Sequence, residues 1–434
     1  MTPREPHKKS ARQVAGEMLD LWLRTDVFPE AGMESLRSDR AFVMETVYGV
    51  LRWRRSLDWI LDRMLHRQPR PAVKAALLLG VYQLLFMDHV EEYAVVNETV
   101  NEVRRAGGDG AAAMANAVLR RLQRERARVM DSLGREPLGV RMSHPDGLIE
   151  RWTSKWGKPK TEALCLWNNQ RPSVCVQVFQ SRVTSDELIR RWAEQGLQAT
   201  RHPFKPETFL VLPHGVRIPD LPGYAEGWFA VQDPSTLMSV ELLSAQPGED
   251  VLDACAAPGG KTSLLAERMM SSGRLAAVEY QEDRCARLIE NMKRMKWPHI
   301  TTVHADARDR ERLRLALEKA GAPAIFDRIL LDVPCTNTGV LRRRVDARWR
   351  FSPQRLSEMT RTQGGLLDGA APFLKTGGSL VYSTCSLEPE ENHEMVAGWV
   401  KTQTGFELVE ERLLFPPDTK TDGAYAALMV RSKK

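Results

Sequence analysis

Val251-Leu252-Asp253-Ala254-Cys255-Ala256-Ala257-Pro258-Gly259-Gly260-Lys261-Thr262 is the stretch on which the fold of this chain turns. Its first four residues, 251–254, read as a short buried strand. Two glycines then lead into a helix expected over 261–270. A strand that passes through a glycine loop into a helix opens a βα unit. The same rhythm continues downstream. Strands are expected at 274–279, 300–303, 328–332 and 379–383, and helices at 282–295, 311–320, 354–370 and 389–401. This alternation predicts a parallel sheet with helices on both faces, a Rossmann-like α/β domain over residues 249–434.

Three ligand classes compete for the loop. A dinucleotide loop needs G-x-G-x-x-G, and the order here is Ala-Pro-Gly-Gly-Lys-Thr. A Walker A loop needs a glycine where Cys255 stands, and Pro258 removes an N–H that a phosphate cradle would use. A ligand with a sulfonium and a carboxylate fits better, and S-adenosyl-L-methionine is such a ligand. Gly259 and Gly260 let the backbone approach its methionine end, and the helix amino terminus favours its carboxylate. Glu279 ends the second strand, where ribose hydroxyls are accepted in doubly wound folds, and Asp306 follows the third strand, within reach of an adenine amine. Either carboxylate alone would read as an ordinary polar strand end.

Two thiols follow buried strands, Cys335 in Leu331-Asp332-Val333-Pro334-Cys335 and Cys385 in Tyr382-Ser383-Thr384-Cys385. Strand carboxyl ends of an open α/β sheet face the ligand crevice, so covalent chemistry beside a bound cofactor is expected. Pyrimidine C5 is a poor nucleophile. A thiolate added at C6 makes an enamine that can take a methyl at C5, after which a base removes the C5 proton and the thiolate leaves. Asp332 is placed to hydrogen-bond the exocyclic amine or N3 of cytosine. Cys165, Cys175 and Cys285 read as small buried hydrophobes, and Cys255 as part of the cofactor loop without a catalytic role.

The rest of the 434 residues forms two further regions. Residues 1–130 read as an all-α bundle, with helical periodicity over 41–61 and 73–87. Asp39 is expected to cap the first of these helices and Pro71 to start the second. Gly107, Gly108 and Gly110 are expected to separate helices at 95–106 and 111–123. Arginines cluster at Arg52, Arg54 and Arg55, at Arg104 and Arg105, and at Arg120, Arg121, Arg124, Arg126 and Arg128; solvated faces and an RNA-binding face compete as explanations. Residues 131–248 read as linker helices and a small α+β module. Its strands are expected at 173–179, 208–212 and 229–231, with a helix capped by Ser185 that runs to Gln195.

Net charge is +6 and the pI is near 9.0, a mild lean toward polyanions. No C-x-x-C pair or His cluster accompanies the six cysteines, so no metal site is expected. The amino terminus is polar, and the longest apolar run, 75–87, is too short for a bilayer. A cytoplasmic protein with reduced thiols, away from the membrane, is the expectation.

Three motifs together, Cys255-Ala-Ala-Pro-Gly-Gly-Lys-Thr262, Asp332-Val-Pro-Cys335 and Ser383-Thr-Cys385-Ser386, resemble the Nol1/Nop2/Sun family of RNA cytosine-C5 methyltransferases. Asn168-Asn-Gln-Arg-Pro172 and the run from Leu221-Pro222-Gly223 to Val231-Gln232-Asp233 look like the family's segment before its catalytic domain. The helical region, with Leu78-Leu-Gly-Val-Tyr-Gln-Leu84 and Asn116-Ala-Val-Leu119, is similar to the antitermination factor NusB. The combination is typical of the bacterial Sun/Fmu-type enzymes that act on 16S ribosomal RNA. The resemblance implies Cys385 as nucleophile and Cys335 as the helper in its release. It implies a cofactor site made of Cys255, Ala256, Ala257, Pro258, Gly259, Gly260, Lys261, Glu279, Asp306 and Asp332. The expected partner is 16S rRNA, naked or in a partly assembled subunit, with the protein a monomer that does not act on DNA. The alternatives are a tRNA or 23S rRNA substrate, a DNA methyltransferase using Cys335 as nucleophile, and a non-enzymatic RNA-binding factor. The chain ends soon after Asp422-Gly-Ala-Tyr425, so no extra carboxyl-terminal RNA domain is expected. Three departures from the family stand out: Glu279 in place of Asp, Thr336-Asn337 after Cys335, and the absence of Pro in Arg342-Arg343-Arg344-Val345-Asp346.

Overall fold

Alternate residues of the central strands face two different cores. Leu252, Ala276, Val278, Ile329, Leu331, Leu380 and Tyr382 enter one core. Val251, Leu275, Ala277, Leu330 and Val381 enter the other. Period-two burial with apolar residues on both sides is what a sheet covered on both faces requires. The first core is closed by Leu313 and Leu317, Leu366 and Leu367, and Val396 and Trp399, from helices Arg310–Lys319, Pro353–Ala370 and His393–Thr402. The second is closed by Leu242 and Leu243, Leu264 and Leu265, and Leu288 and Met292, from helices Leu237–Leu243, Gly260–Arg268 and Glu282–Arg294.

The computed structural model describes residues 9–25, 40–88, 90–297 and 299–432. Asp39, expected as a helix cap, lies outside the described residues, as do residues 1–8 of the polar amino terminus. The chain divides into two units, Met1–Gln170 with Arg344–Arg350, and Arg171–Arg343 with Phe351–Lys434.

In the second unit, strands β1 (Val174–Val178), β2 (Thr200–Arg201), β3 (Phe209–Leu212) and β4 (Phe229–Val231) form an antiparallel sheet of order β2-β3-β1-β4. Leu188 and Trp192 of helix Ser185–Ala193 pack on Val176, Val178, Leu210 and Phe229. The cap of this helix is Thr184, whose side chain accepts from the Glu187 N–H; Ser185 is its first residue, and the helix ends before Gln195.

The larger sheet contains β5 (Asp250–Asp253), β6 (Arg274–Glu279), β7 (Ile300–His304), β8 (Phe326–Asp332), β9 (Leu374–Thr384), β10 (Phe406–Leu414) and β11 (Ala424–Arg431). Its order is β10-β11-β9-β8-β5-β6-β7. β5 to β9 are parallel, as expected. β11 runs antiparallel to both of its neighbours, β9 and the edge strand β10, so the sheet is mixed where a wholly parallel one is expected from the sequence. The strand order reverses at β5: β6 and β7 are added on one side of it, then β8 and β9 on the other. That switch point is where ligands bind in open α/β sheets.

The first unit is helical: Ala11–Thr25, Arg40–Asp62, Pro71–Phe86, Glu92–Gly134, Leu138–Arg141 and Asp146–Asn169. Pro71–Phe86 is buried on nearly every side and forms its centre. Only Gly108, at φ +79°, breaks the fourth helix; Gly107 and Gly110 are helical, and the second segment runs on past Gln123 to Gly134. Arg52, Arg54 and Arg55 are struts inside this unit, not an exposed edge. Arg52 is buried. Arg54 lies over Trp22 at 4.6 Å, and Arg55 makes a two-pronged pair with Asp146 at 2.7 Å. Val345 and Trp349 join the core of this unit from the heptapeptide Arg344–Arg350.

Among the described residues no helix is long and apolar enough to cross a membrane.

Candidate active site

The carboxyl ends of β5, β6, β8 and β9 bring together most of the residues singled out above. After β5 the chain turns through Cys255 to Gly259 into helix Gly260–Arg268. Gly259 sits at φ +103°, and a Cβ there would meet the Met292 side chain at 2.4 Å. Glycine is therefore required both by the backbone and by the helix packed behind it. No side chain caps this helix, so its first N–H groups are available to an anion.

Asp253 is buried and accepts a 2.7 Å hydrogen bond from Thr262 Oγ1. Burial is the main cause that pushes its carboxyl up to about 7. Glu279 is also buried; its Oε1 accepts from the Tyr280 and Gln281 N–H groups at 3.0 and 2.9 Å. Its Oε2 faces Arg284 Nε at 3.7 Å. Asp306 is held by Arg308, whose side-chain hydrogen bonds keep its carboxyl below the usual range. Lys261 Nζ pairs with Asp332 Oδ2 at 2.6 Å and so ties the glycine loop to the end of β8. Ser383 Oγ donates to Asp332 Oδ1 at 3.3 Å.

Cys335 Sγ and Cys385 Sγ stand 3.2 Å apart as free thiols. β8 and β9 are neighbours, with Asp332 opposite Ser383, so the segments leaving them travel side by side. Contact with Cys385 and then burial push the Cys335 thiol well above its ordinary range. Asn337, in left-handed backbone at φ +63°, donates from Nδ2 to the Cys335 carbonyl at 2.9 Å and accepts from Cys385 Sγ at 3.3 Å. The Gly339 N–H donates to the Cys385 carbonyl at 2.9 Å, and a Cβ on Gly339 would strike that carbonyl at 2.7 Å. Burial pushes the Cys165 and Cys175 thiols up to about 12 and about 11 and raises those of Cys255 and Cys285, so these four are weak nucleophiles.

Sequence reasoning missed a second layer. Helix 389–401 was expected to be continuous, but a single helical turn, Pro389–Glu391, breaks at Asn392 before His393–Thr402. The break turns Glu391 inward, where it accepts from the Thr336 N–H at 2.8 Å, from Thr336 Oγ1, and from Gln363 Nε2 at 3.0 Å. Asn392 accepts from Thr384 Oγ1 at 2.6 Å and donates to the Ser386 carbonyl at 2.9 Å. An acidic pair at a helix start reads simply as a favourable dipole contact, so no local signal exposes this role. Arg343 pairs with Asp233 at 2.9 Å and Asp422 at 2.7 Å, joining two motif segments nearly 190 residues apart in the chain.

The donor set suits S-adenosyl-L-methionine. It offers uncapped helix N–H groups to a carboxylate, buried Glu279 to ribose hydroxyls, and Asp306 to an adenine amine. It lacks the phosphate cradle that a nucleotide triphosphate needs.

Residues 240–430 match the family described as 16S rRNA methyltransferase RsmB/F. Residues 9–124 match the NusB family, and 144–218 match the ferredoxin-like domain of RsmF/B-like methyltransferases. The "Probable ribosomal RNA small subunit methyltransferase B" of Synechocystis sp. is 35% identical over 408 residues, covering 89% of this chain and 88% of its own length. The ribosomal RNA small subunit methyltransferase B of Pseudomonas putida is 33% identical, covering 91% of each. The crystal structure of PH0851 superposes with a TM-score of 0.78 at 22% identity, covering 98% of this chain and 100% of that one. A methyltransferase homologue from Pyrococcus horikoshii gives 0.58 at 26% identity, covering 68% and 97%.

Proposed function

Because the chain belongs to the 16S rRNA methyltransferase RsmB/F family, we propose that it methylates C5 of a cytosine in 16S rRNA through a covalent bond to Cys385. The observation that carries this reading is the pair of free thiols 3.2 Å apart beside the glycine loop. When bound, S-adenosyl-L-methionine supplies the electrophilic methyl that an activated C5 takes up. Cys255 to Lys261, Glu279, Asp306 and Asp332 are the residues that would hold it.

Cys385 adds to C6 as the thiolate, having lost its proton to solvent. The C5=C6 π pair moves to C5 and forms the new carbon–carbon bond. Loss of the C5 proton then re-forms the double bond, and the C6–S pair returns to Cys385. Cys335 is held as a thiol, with its proton beside the leaving sulfur. It gives that proton to Cys385 as the bond breaks, and its own sulfur receives the C5 proton. Asp332 is the acceptor for the exocyclic amine of the base, and Lys261 fixes its direction. The target base has to leave any helical stack to reach this crevice. In the same reading, residues 1–130 and 131–248 grip RNA by shape and phosphate contacts, and residues 249–434 carry the chemistry.

Bisulfite mapping of 16S rRNA after reaction with the purified protein tests the target. Cys385→Ala should abolish methylation and any RNA adduct, whereas Cys335→Ala should accumulate a methylated adduct that survives denaturing gels. The opposite pattern would reverse the two roles and favour the DNA-type mechanism. Full activity in both variants would remove the covalent step altogether.

A further inference from the structure

We infer that Glu391 is a positioning residue that sets the spacing of Cys335 and Cys385. The inference rests on the covalent reading above. Glu391 is fully buried. Its carboxylate takes the backbone N–H and the hydroxyl of Thr336, the residue after Cys335. Thr336 Oγ1 lies 3.3 Å from Ser386 Oγ, on the residue after Cys385. The Glu391 carbonyl accepts from the Tyr382 hydroxyl of β9 at 2.7 Å. One acidic residue is thus attached to both thiol-bearing segments and to the strand between them.

A buried carboxylate is costly to desolvate, and burial raises the Glu391 carboxyl above its ordinary value. An apolar side chain would fill the same space without that cost. What it could not do is accept from Thr336 and Gln363 together, and it is the Thr336 bonds that hold the residue joined to Cys335. The negative charge also raises the Cys335 thiol, so it helps keep there the proton that release needs. Without Glu391, Thr336 has to seek other partners and Cys335 moves with it. Proton transfer across 3.2 Å is sensitive to such a shift, whereas attack by Cys385 alone is less so.

The test uses the full chain, 16S rRNA and S-adenosyl-L-methionine with a labelled methyl. Glu391→Ala should lower kcat by about 10²-fold with KM for RNA unchanged. It should also move label from released RNA into a protein adduct, as Cys335→Ala does, although both thiols are present. Glu391→Gln keeps a carbonyl acceptor for Thr336 and Gln363 but drops the charge, so it should restore most of the release. The buried Gln363 Oε1, which has no hydrogen-bond partner among the described residues, can accept from the new amide. A merely structural role would reduce the active fraction and leave the ratio of adduct to product unchanged; that result overturns the inference. Should Glu391→Ala fail to fold, Thr336→Val removes only the hydroxyl link and is expected to show the same shift toward adduct. An unchanged ratio there also overturns the inference. Adduct in Cys335→Ala but not in the Glu391 and Thr336 variants defeats this inference alone. No adduct in Cys335→Ala defeats the covalent reading, and this inference with it.

Discussion

Arg348 is fully buried and bonded to oxygen atoms of the helical unit, which makes its removal a quantitative test of how that unit is held together. Its guanidinium donates to the carbonyls of Arg52 at 3.2 Å, Ser143 at 3.1 Å and Asn168 at 3.2 Å, and to Asn169 Oδ1 at 2.9 Å. Burial, with Arg52 nearby, pushes its pKa down to about 9, so it stays charged at neutral pH. Arg348→Met keeps most of the volume and removes every donor. Each acceptor left buried without a donor costs about 1–3 kcal/mol, partly offset because a charge is no longer desolvated. A net loss of about 3–5 kcal/mol follows. For a unit of this size one kcal/mol corresponds to about 2–4 °C, so its melting should fall by about 10 °C. Calorimetry of the full chain measures this, and hydrogen exchange should rise in Arg40–Asp62 and Asp146–Asn169. Arg348→Lys should rescue little, since an ammonium cannot span acceptors spread around a planar fork. Unchanged melting of Arg348→Met would refute the claim that the heptapeptide Arg344–Arg350 is part of this unit's core.

Asp306→Ala should weaken S-adenosyl-L-methionine binding by about tenfold in calorimetry, the worth of one hydrogen bond, with the fold intact. ATP should not bind to either form. Arg124 and Arg128 are exposed, and among the described residues no ion-pair partner stands beside them. Changing both to Gln should weaken RNA binding and reduce the slope of log K against log salt by about 2. Deleting residues 1–126 is a poorer test, because it cuts helix Glu92–Gly134 and removes Arg52 from beside Arg348. Asp253 has its folded pKa raised to about 7 from 3.8. Its contribution to stability is therefore present in full below about pH 4 and is lost as pH rises through about 7. Denaturant unfolding at pH 5 and pH 8 should show a loss in the parent chain that Asp253→Asn lacks.

The parallel strands were legible because apolar runs with branched residues, bounded by glycine and charged helices, leave little else for residues 251–254, 274–279 or 328–332 to be. The β10–β11 hairpin was not. Phe406–Leu414 lies at the sheet edge and mixes half-buried with exposed residues, Glu407 and Glu410 among the exposed ones. A Leu408/Glu410 irregularity also breaks its period. Long-range pairing was equally invisible. Nothing local says that Arg343 will meet Asp233 and Asp422, or that Arg348 belongs with the helical residues. Those contacts depend on where the chain returns, and propensity and periodicity carry no information on that.

The two thiols show where the division falls. Each cysteine follows a buried strand by its own local pattern, so each was recognisable as a candidate alone. Their 3.2 Å separation depends on three facts that no local pattern contains. β8 and β9 are neighbours across the sheet; Asp332 is opposite Ser383, so the two segments leave in step; and Glu391 is turned inward, where it accepts from Thr336, whose Oγ1 lies 3.3 Å from Ser386 Oγ. A register slip of one residue would reverse the face of every side chain and carry the thiols apart. Their inequality is likewise a product of the fold. The Cys335 thiol is raised by its contact with Cys385, by burial and by the Glu391 charge. A buried thiol with a raised pKa is a poor nucleophile but retains a proton to donate. In the proposed mechanism, the division of labour between Cys385 as attacker and Cys335 as proton carrier then follows from that contact and burial, with the Glu391 charge adding to them, and not from any difference between two cysteine side chains.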